Sequence, residues 1–62
     1  MTHLVKFEGP LWVSMYALLI VGADKVNTVS PGVAYAFDLT DEELADARVL
    51  ANEKCFSVKE DV

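Results

Sequence analysis

The sequence predicts an α+β domain in which a small, mostly antiparallel sheet of about four to five strands packs one face against a single helix. Three observations support this prediction. Glycine and proline at positions 9–10, 22 and 31–32 mark turns, and the segments between them have strand-like composition. An acidic, capped helix is expected over about residues 41–54. A chain of 62 residues has room for one domain, 1–62, with one modest core.

The first segment, HLVKFE, is predicted to be an edge strand or a half-buried strand. Val5 and Phe7 fall on one side of it, and Leu4, Lys6 and Glu8 fall on the other. This alternation has the period of two that a strand with one apolar face requires.

The next segment, residues 11–21, is predicted as a strand, or as two short strands interrupted near Met15. Its β-branched and aromatic residues favour strand, whereas its methionine, alanine and leucines favour helix. The alternative is a buried helix that begins at Pro10 and is capped by Gly22. The segment is apolar on both faces, so one of them needs a cover such as a second copy or a docked protein. The uncharged run is shorter than the roughly 20 residues of a membrane span, and no membrane partner is predicted.

KVNTVS and VAYAFD are predicted to pair as a hairpin across Pro31-Gly32. Val33, Tyr35 and Phe37 would then share one face of the second strand, with two alanines on the other face.

The helix that follows has a clear start signal. Thr40 and Glu43 have the spacing of a capping box, and the acids of the first turn oppose the positive end of the helix dipole. One stripe of the helix is predicted to pack on the sheet; it comprises Leu44, Ala47, Leu50, Ala51 and Cys55. After the helix, the alternation in FSVK predicts a final strand.

No residue pattern indicates catalysis, so the chain is predicted not to be an enzyme. His3 is the single histidine and is expected to be an exposed terminal residue. Cys55 is the single cysteine, which excludes an internal disulfide, and it is expected to be a small buried residue. The glycines are scattered and the acids lack the spacing of a calcium loop, so no cofactor and no metal are predicted.

The acidic face of the helix is the candidate binding site. Glu42, Asp46 and Glu53 fall together opposite the packing stripe, and Val49 lies among them. Such acids commonly form only a solvated face, and a single exposed valine is ordinary. The alternative hypothesis is that Val49 anchors a contact to which the acids steer a basic partner.

Residues 33–62, VAYAFDLTDEELADARVLANEKCFSVKEDV, resemble small phage-encoded inhibitors of bacterial RNA polymerase. The resemblance lies in a strand, an acidic capped helix that begins in LTDEELADA, and a short closing strand. It implies a protein that inhibits a host enzyme by occluding a basic or nucleic-acid-facing surface.

The predicted function is that of a small acidic protein-binding module in the cytoplasm, which is the host cytoplasm for a phage-encoded chain. Its expected partner is a basic surface of another protein or complex, because a net charge of −5 disfavours direct binding to nucleic acid. The alternative is a structural or assembly subunit, of a virion or another homo-oligomer, that buries its apolar sheet face against copies of itself.

Overall fold

The computed structural model describes residues 2–60 and confirms the α+β class. Four strands and two helices follow one another in the order β-α-β-β-α-β. Their bounds are β1 His3–Glu8, α1 Val13–Val21, β2 Val26–Ser30, β3 Val33–Leu39, α2 Asp41–Lys54 and β4 Ser57–Glu60. A single 3-10 turn, Ala23–Lys25, joins α1 to β2.

All strand pairs in the described part of the chain are antiparallel, and the sheet order is β2-β3-β1-β4. The predicted hairpin is confirmed, with β2 and β3 joined through residues 31–32. The register of β1 against β3 shifts between His3 and Val5, where three residues of β3 match two of β1. Asp38 lies in this shift and has a φ of 58°, so it forms a bulge that lets Leu39 reach the core.

Alternation along the central strands divides the sheet into two faces, as the sequence predicts. Val5 and Phe7 pair with Ala36 and Ala34, and all four are fully buried. Both helices pack on this face, so the helices form a single layer, here called the helix layer. The opposite face, here called the open face, is covered by no element of residues 2–60.

The strand prediction for residues 11–21 is wrong, and the helix alternative is correct, although only one face of the helix is buried. Val13 and Ala17 are buried against the sheet, and Tyr16, Ile20 and Val21 pack beside them. These positions recur with helical spacing, but the outward positions are apolar too, which hides the period in the sequence. The small side chains of β3 provide the space into which α1 packs.

α1 ends at Gly22, whose N–H donates to the carbonyl of Leu18 at 2.8 Å. The φ of Gly22 is 83°, which a residue with a side chain rarely adopts. Its capping role agrees with the helix alternative of the sequence. The start differs, because Trp12 rather than Pro10 precedes the first helical residue and makes no side-chain capping bond.

α2 begins with the predicted capping box. The N–H of Glu43 donates to Oγ1 of Thr40 at 3.1 Å, and the N–H of Thr40 donates to Oε1 of Glu43 at 2.9 Å. The helix ends where Cys55 turns into the left-handed region and Phe56 donates from its N–H to the carbonyl of Ala51 at 3.1 Å. This turn carries the Phe56 ring into the core.

An aromatic cluster fills the end of the core where α1 starts and α2 ends. The ring of Phe56 lies 5.7 Å from that of Tyr16 and 5.9 Å from that of Phe7, and Trp12 packs edge-on against Tyr16 at 5.1 Å. Trp12, at the N-cap of α1, and Tyr16 are therefore about one turn of helix apart. Their contact with Phe56 sets the start of α1 beside the end of α2.

Candidate functional site

The structure places the four predicted binding residues together on the outward face of α2. Glu42, Asp46, Val49 and Glu53 recur at intervals of three or four positions, and all four are exposed. The opposite side of the helix packs on the sheet, with Leu44, Ala47 and Ala51 in the core. The three carboxylates with Val49 among them are called the acidic stripe below.

The acidic stripe carries negative charge that its own chain leaves unbalanced. Among residues 2–60, none of its three carboxylates forms an ion pair. Two of the cations on or near α2 are engaged with other acids: Arg48 contacts Glu60 at 3.2 Å, and Lys25 contacts Glu43 at 3.2 Å. Lys54, in the last turn of α2, forms no ion pair within residues 2–60. A cation from another molecule would therefore find these carboxylates available.

Val49 is the apolar centre of the acidic stripe. Its exposed fraction is 61%, so it makes little contact with the fold. A β-branched residue has a lower helix propensity than alanine or leucine, and burial does not compensate for this loss here. The geometry thus fits either a tolerated surface residue or an anchor for a contact.

His3 is not the loose terminal residue that the sequence predicts. It lies in β1 with a side chain only 17% exposed, between two carboxylates. Nε2 is 2.6 Å from Oδ1 of Asp41, and Nδ1 is 2.9 Å from Oε2 of Glu60. The hydrogen bond to Asp41, followed by that to Glu60, raises the pKa of His3, and the same contact lowers the pKa of Asp41. These contacts hold β1, the start of α2 and β4 together.

Glu43 has a structural role rather than a binding one. Its carboxylate accepts from the N–H of Thr40 and from Nζ of Lys25, and these two bonds, in that order, lower the pKa of Glu43. Lys25 Nζ also donates to the carbonyl of Asp38 at 3.1 Å. The start of α2 is therefore fastened to the segment that follows α1.

Cys55 is exposed, and its predicted burial is wrong. The packing stripe would include it only if the helix continued through residue 55. The chain instead adopts a φ of 61° at Cys55, which turns its side chain away from the stripe and brings Phe56 inward. The other members of the stripe lie in the core or pack against it.

Sequence reasoning missed an apolar surface on α1. The side chains concerned lie on the outward side of the helix layer and are all exposed; they are Leu11, Met15, Leu18 and Leu19. Met15, Leu18 and Leu19 have the spacing of one helical face, and Leu11 lies in the turn that precedes the helix. This set is called the apolar stripe below. The signal was present in the sequence, but it is readable only once residues 13–21 are known to be helical.

The open face of the sheet is also partly apolar. Leu4 and Phe37 are each about 40% exposed on this face. Tyr35, on β3, is half-buried. Lys6 and Lys59, which are paired in the register of β1 and β4, lie on the same face. Polar and apolar side chains thus alternate across this face.

The described residues provide no enclosed site for chemistry. Residues 2–60 form no pocket and bring no three His, Cys, Asp or Glu side chains into an arrangement that holds a metal ion. No helix within this range is long and apolar enough to cross a membrane.

Comparison with protein-family models, with curated proteins and with solved structures finds no match.

Proposed function

We propose that this chain is a small, acidic, non-enzymatic protein-binding module whose α2 face docks on a basic surface of another protein and occludes it. The observation that carries the proposal is the acidic stripe, in which exposed Val49 is surrounded by three carboxylates without ion pairs among residues 2–60.

The two kinds of side chain in the stripe supply different parts of binding. The chain has a formal net charge of −5. Its exposed carboxylates attract a positively charged partner over about 8 Å at physiological salt, which raises the rate at which the two proteins meet. An apolar side chain such as Val49 gains free energy only after contact, when water leaves it. Charge therefore selects the partner, and the valine contributes to holding it.

The resemblance to phage inhibitors of bacterial RNA polymerase suggests the class of partner. Protein complexes that act on nucleic acid have exposed basic surfaces that bind its phosphate backbone. An acidic module bound to such a surface would exclude nucleic acid from it. We therefore extend the proposal to inhibition of a host nucleic-acid-handling complex in the cytoplasm by a phage or mobile-element protein.

Affinity capture from bacterial lysate tests this function with a matched pair of variants. Val49→Asp is expected to abolish capture of basic proteins without lowering the melting temperature, because Val49 is exposed. Val29→Asp is the control, since Val29 is 58% exposed but lies on β2. Captured complexes should dissociate at high salt and in the presence of added DNA or RNA. Equal capture by Val49→Asp and the wild-type protein would refute the role of the acidic stripe.

Self-assembly is a second candidate function, favoured by the apolar residues of the open face. Leu4, Tyr35 and Phe37 lie together there on two central strands, and a second copy would bury them. This function predicts oligomers that persist at micromolar concentration and in high salt. Size-exclusion chromatography with light scattering would detect them, and Phe37→Ser should dissociate them. A monomer under all these conditions would exclude this function.

A further inference from the structure

The apolar stripe of α1 is an exposed apolar feature that the proposed function leaves unexplained. Leu19, the last residue of this stripe, is 77% exposed, and the segment from Leu11 to Ala23 contains no charged residue. Isolated exposed apolar residues are normal in monomers, but Met15, Leu18 and Leu19 are neighbours on one helical face. From Met15 to Leu19 they extend about 6 Å along the axis of α1.

The apolar stripe and the acidic stripe belong to one surface. Both helices pack on the same sheet face and on each other, so both outward faces point away from the sheet. The helices run in opposite directions, because Tyr16 at the start of α1 stacks on Phe56 after α2, while Lys25 after α1 reaches Glu43 at the start of α2. Packed helices lie about 8–10 Å apart, which makes the two stripes parallel neighbours.

We propose that this outward surface of the helix layer binds an amphipathic basic helix of a protein partner. A helix is about 10–12 Å across with its side chains, so one helix laid along the groove between α1 and α2 reaches both stripes. Its apolar side chains would cover the stripe on α1, and its lysines and arginines would face the carboxylates on α2. The inference rests on the proposed function and specifies the partner of that surface.

A second copy of the chain does not fit this surface. When two helix layers stack face to face about a two-fold axis, each α2 lies either on the other α2 or on the other α1. The first arrangement opposes like charges, and the second buries carboxylates against apolar side chains.

A membrane is also a poor occupant. The apolar stripe has no lysine or arginine beside it, and the neighbouring stripe is acidic, so the surface is repelled by anionic lipid.

Binding of designed peptides tests the inference. The probe is a fluorescent helical peptide of leucine and lysine with its leucines on one face, and the reference is a peptide of the same composition with the leucines distributed around the helix. The amphipathic peptide should bind the wild-type protein at least about tenfold more tightly than the reference peptide. Met15→Gln with Leu19→Asn should remove this preference, whereas Val29→Asn should leave it unchanged. A melting curve for each variant shows that it remains folded.

The outcomes separate the inference from the proposed function. Equal binding of both peptides, or an unchanged preference in Met15→Gln with Leu19→Asn, overturns the inference. The triple variant Glu42→Gln, Asp46→Asn, Glu53→Gln tests the proposed function separately. If this variant binds both peptides more weakly than the wild-type protein does, the proposed function survives even when the inference fails. If neither peptide binds the wild-type protein with a dissociation constant below about 100 µM, both proposals are overturned.

Discussion

His3 joins three elements that are far apart in the sequence, and its protonation links their stability to pH. Both of its ring nitrogens contact carboxylates, so the charged ring is favoured in the folded state, and the pKa of His3 is raised. A raised histidine pKa stabilises the fold fully below the unfolded value of about 6.5, and this contribution is lost as pH rises through the folded value. The lowered pKa of Asp41 adds stability that is lost as pH falls below about 4.

We therefore expect His3→Gln to reduce the free energy of unfolding most between about pH 4 and pH 6.5 and much less above the raised pKa. Urea unfolding of the variant and the wild-type protein at a mildly acidic and a mildly basic pH measures this difference. An equal difference at both pH values would mean that the ring acts only by packing.

Cys55 is held in a conformation that suits glycine better. A residue with a side chain loses about 1–2 kcal/mol in the left-handed region, whereas glycine loses about 0.5–1 kcal/mol in backbone entropy on folding. Cys55→Gly should accordingly raise the free energy of unfolding by about 0.5–1 kcal/mol. Asn52→Gly, in the exposed last turns of the same helix, should lower it by about 0.3 kcal/mol, because asparagine is already a poor helix former. Thermal or urea unfolding in which both variants lose stability would contradict the structural account of the helix end.

Among the elements, the turn between β2 and β3 packs tightly against the turn after β1. The N–H of Gly9 donates to the carbonyl of Gly32 at 2.9 Å, and Gly32 has a φ of 83°. A Cβ atom on Gly32 would lie 2.5 Å from the carbonyl oxygen of Gly9, so a side chain there must separate the two turns. Gly22 has the same φ, but a Cβ atom there would meet nothing within 4 Å.

Alanine at these two glycines separates backbone strain from steric conflict. Gly22→Ala should lower the free energy of unfolding by about 1–3 kcal/mol through strain alone. Gly32→Ala should lower it further, because the backbone carbonyl of Gly9 cannot move aside as a side chain could. Urea unfolding of both variants gives the comparison. If Gly32→Ala is the milder change, the close approach of the turns is not a constraint on the fold.

Most elements of the fold can be predicted from local signals. β1 and the segment of the closing strand have alternating apolar residues, the β2-β3 hairpin has its Pro31-Gly32 turn, and α2 has its capping box. α1 could not be predicted in this way, because apolar residues on both of its faces remove the contrast that identifies a helix. Its conformation depends on tertiary packing against the alanines of β3, which local sequence does not reveal.

The candidate site also has a part that local sequence predicts and a part that depends on tertiary structure. The acidic stripe is predictable, since Glu42, Asp46, Val49 and Glu53 belong to one helix with a clear start. The apolar stripe is not, because its recognition requires that α1 be helical and that both helices share one sheet face. The two carboxylate contacts of His3 also depend on tertiary structure, since Asp41 and Glu60 are distant from it in sequence.

At the scale of the whole molecule, the fold separates two surfaces of different character. The helix layer presents an apolar stripe beside an acidic one, and the open face presents Leu4 and Phe37 among lysines. Binding of a basic partner should involve the first surface, whereas self-assembly should involve the second. The location of a bound basic helix thus decides between the two functions.

Amide chemical-shift mapping during titration with the amphipathic leucine-lysine peptide measures this location most directly. The account predicts salt-sensitive shifts concentrated in residues 11–19 of the α1 region and residues 42–53 of α2, with the amides of Lys6, Tyr35 and Phe37 unchanged. Shifts concentrated on the open face, with α1 and α2 unperturbed, would contradict the claim that the helix layer is the binding surface.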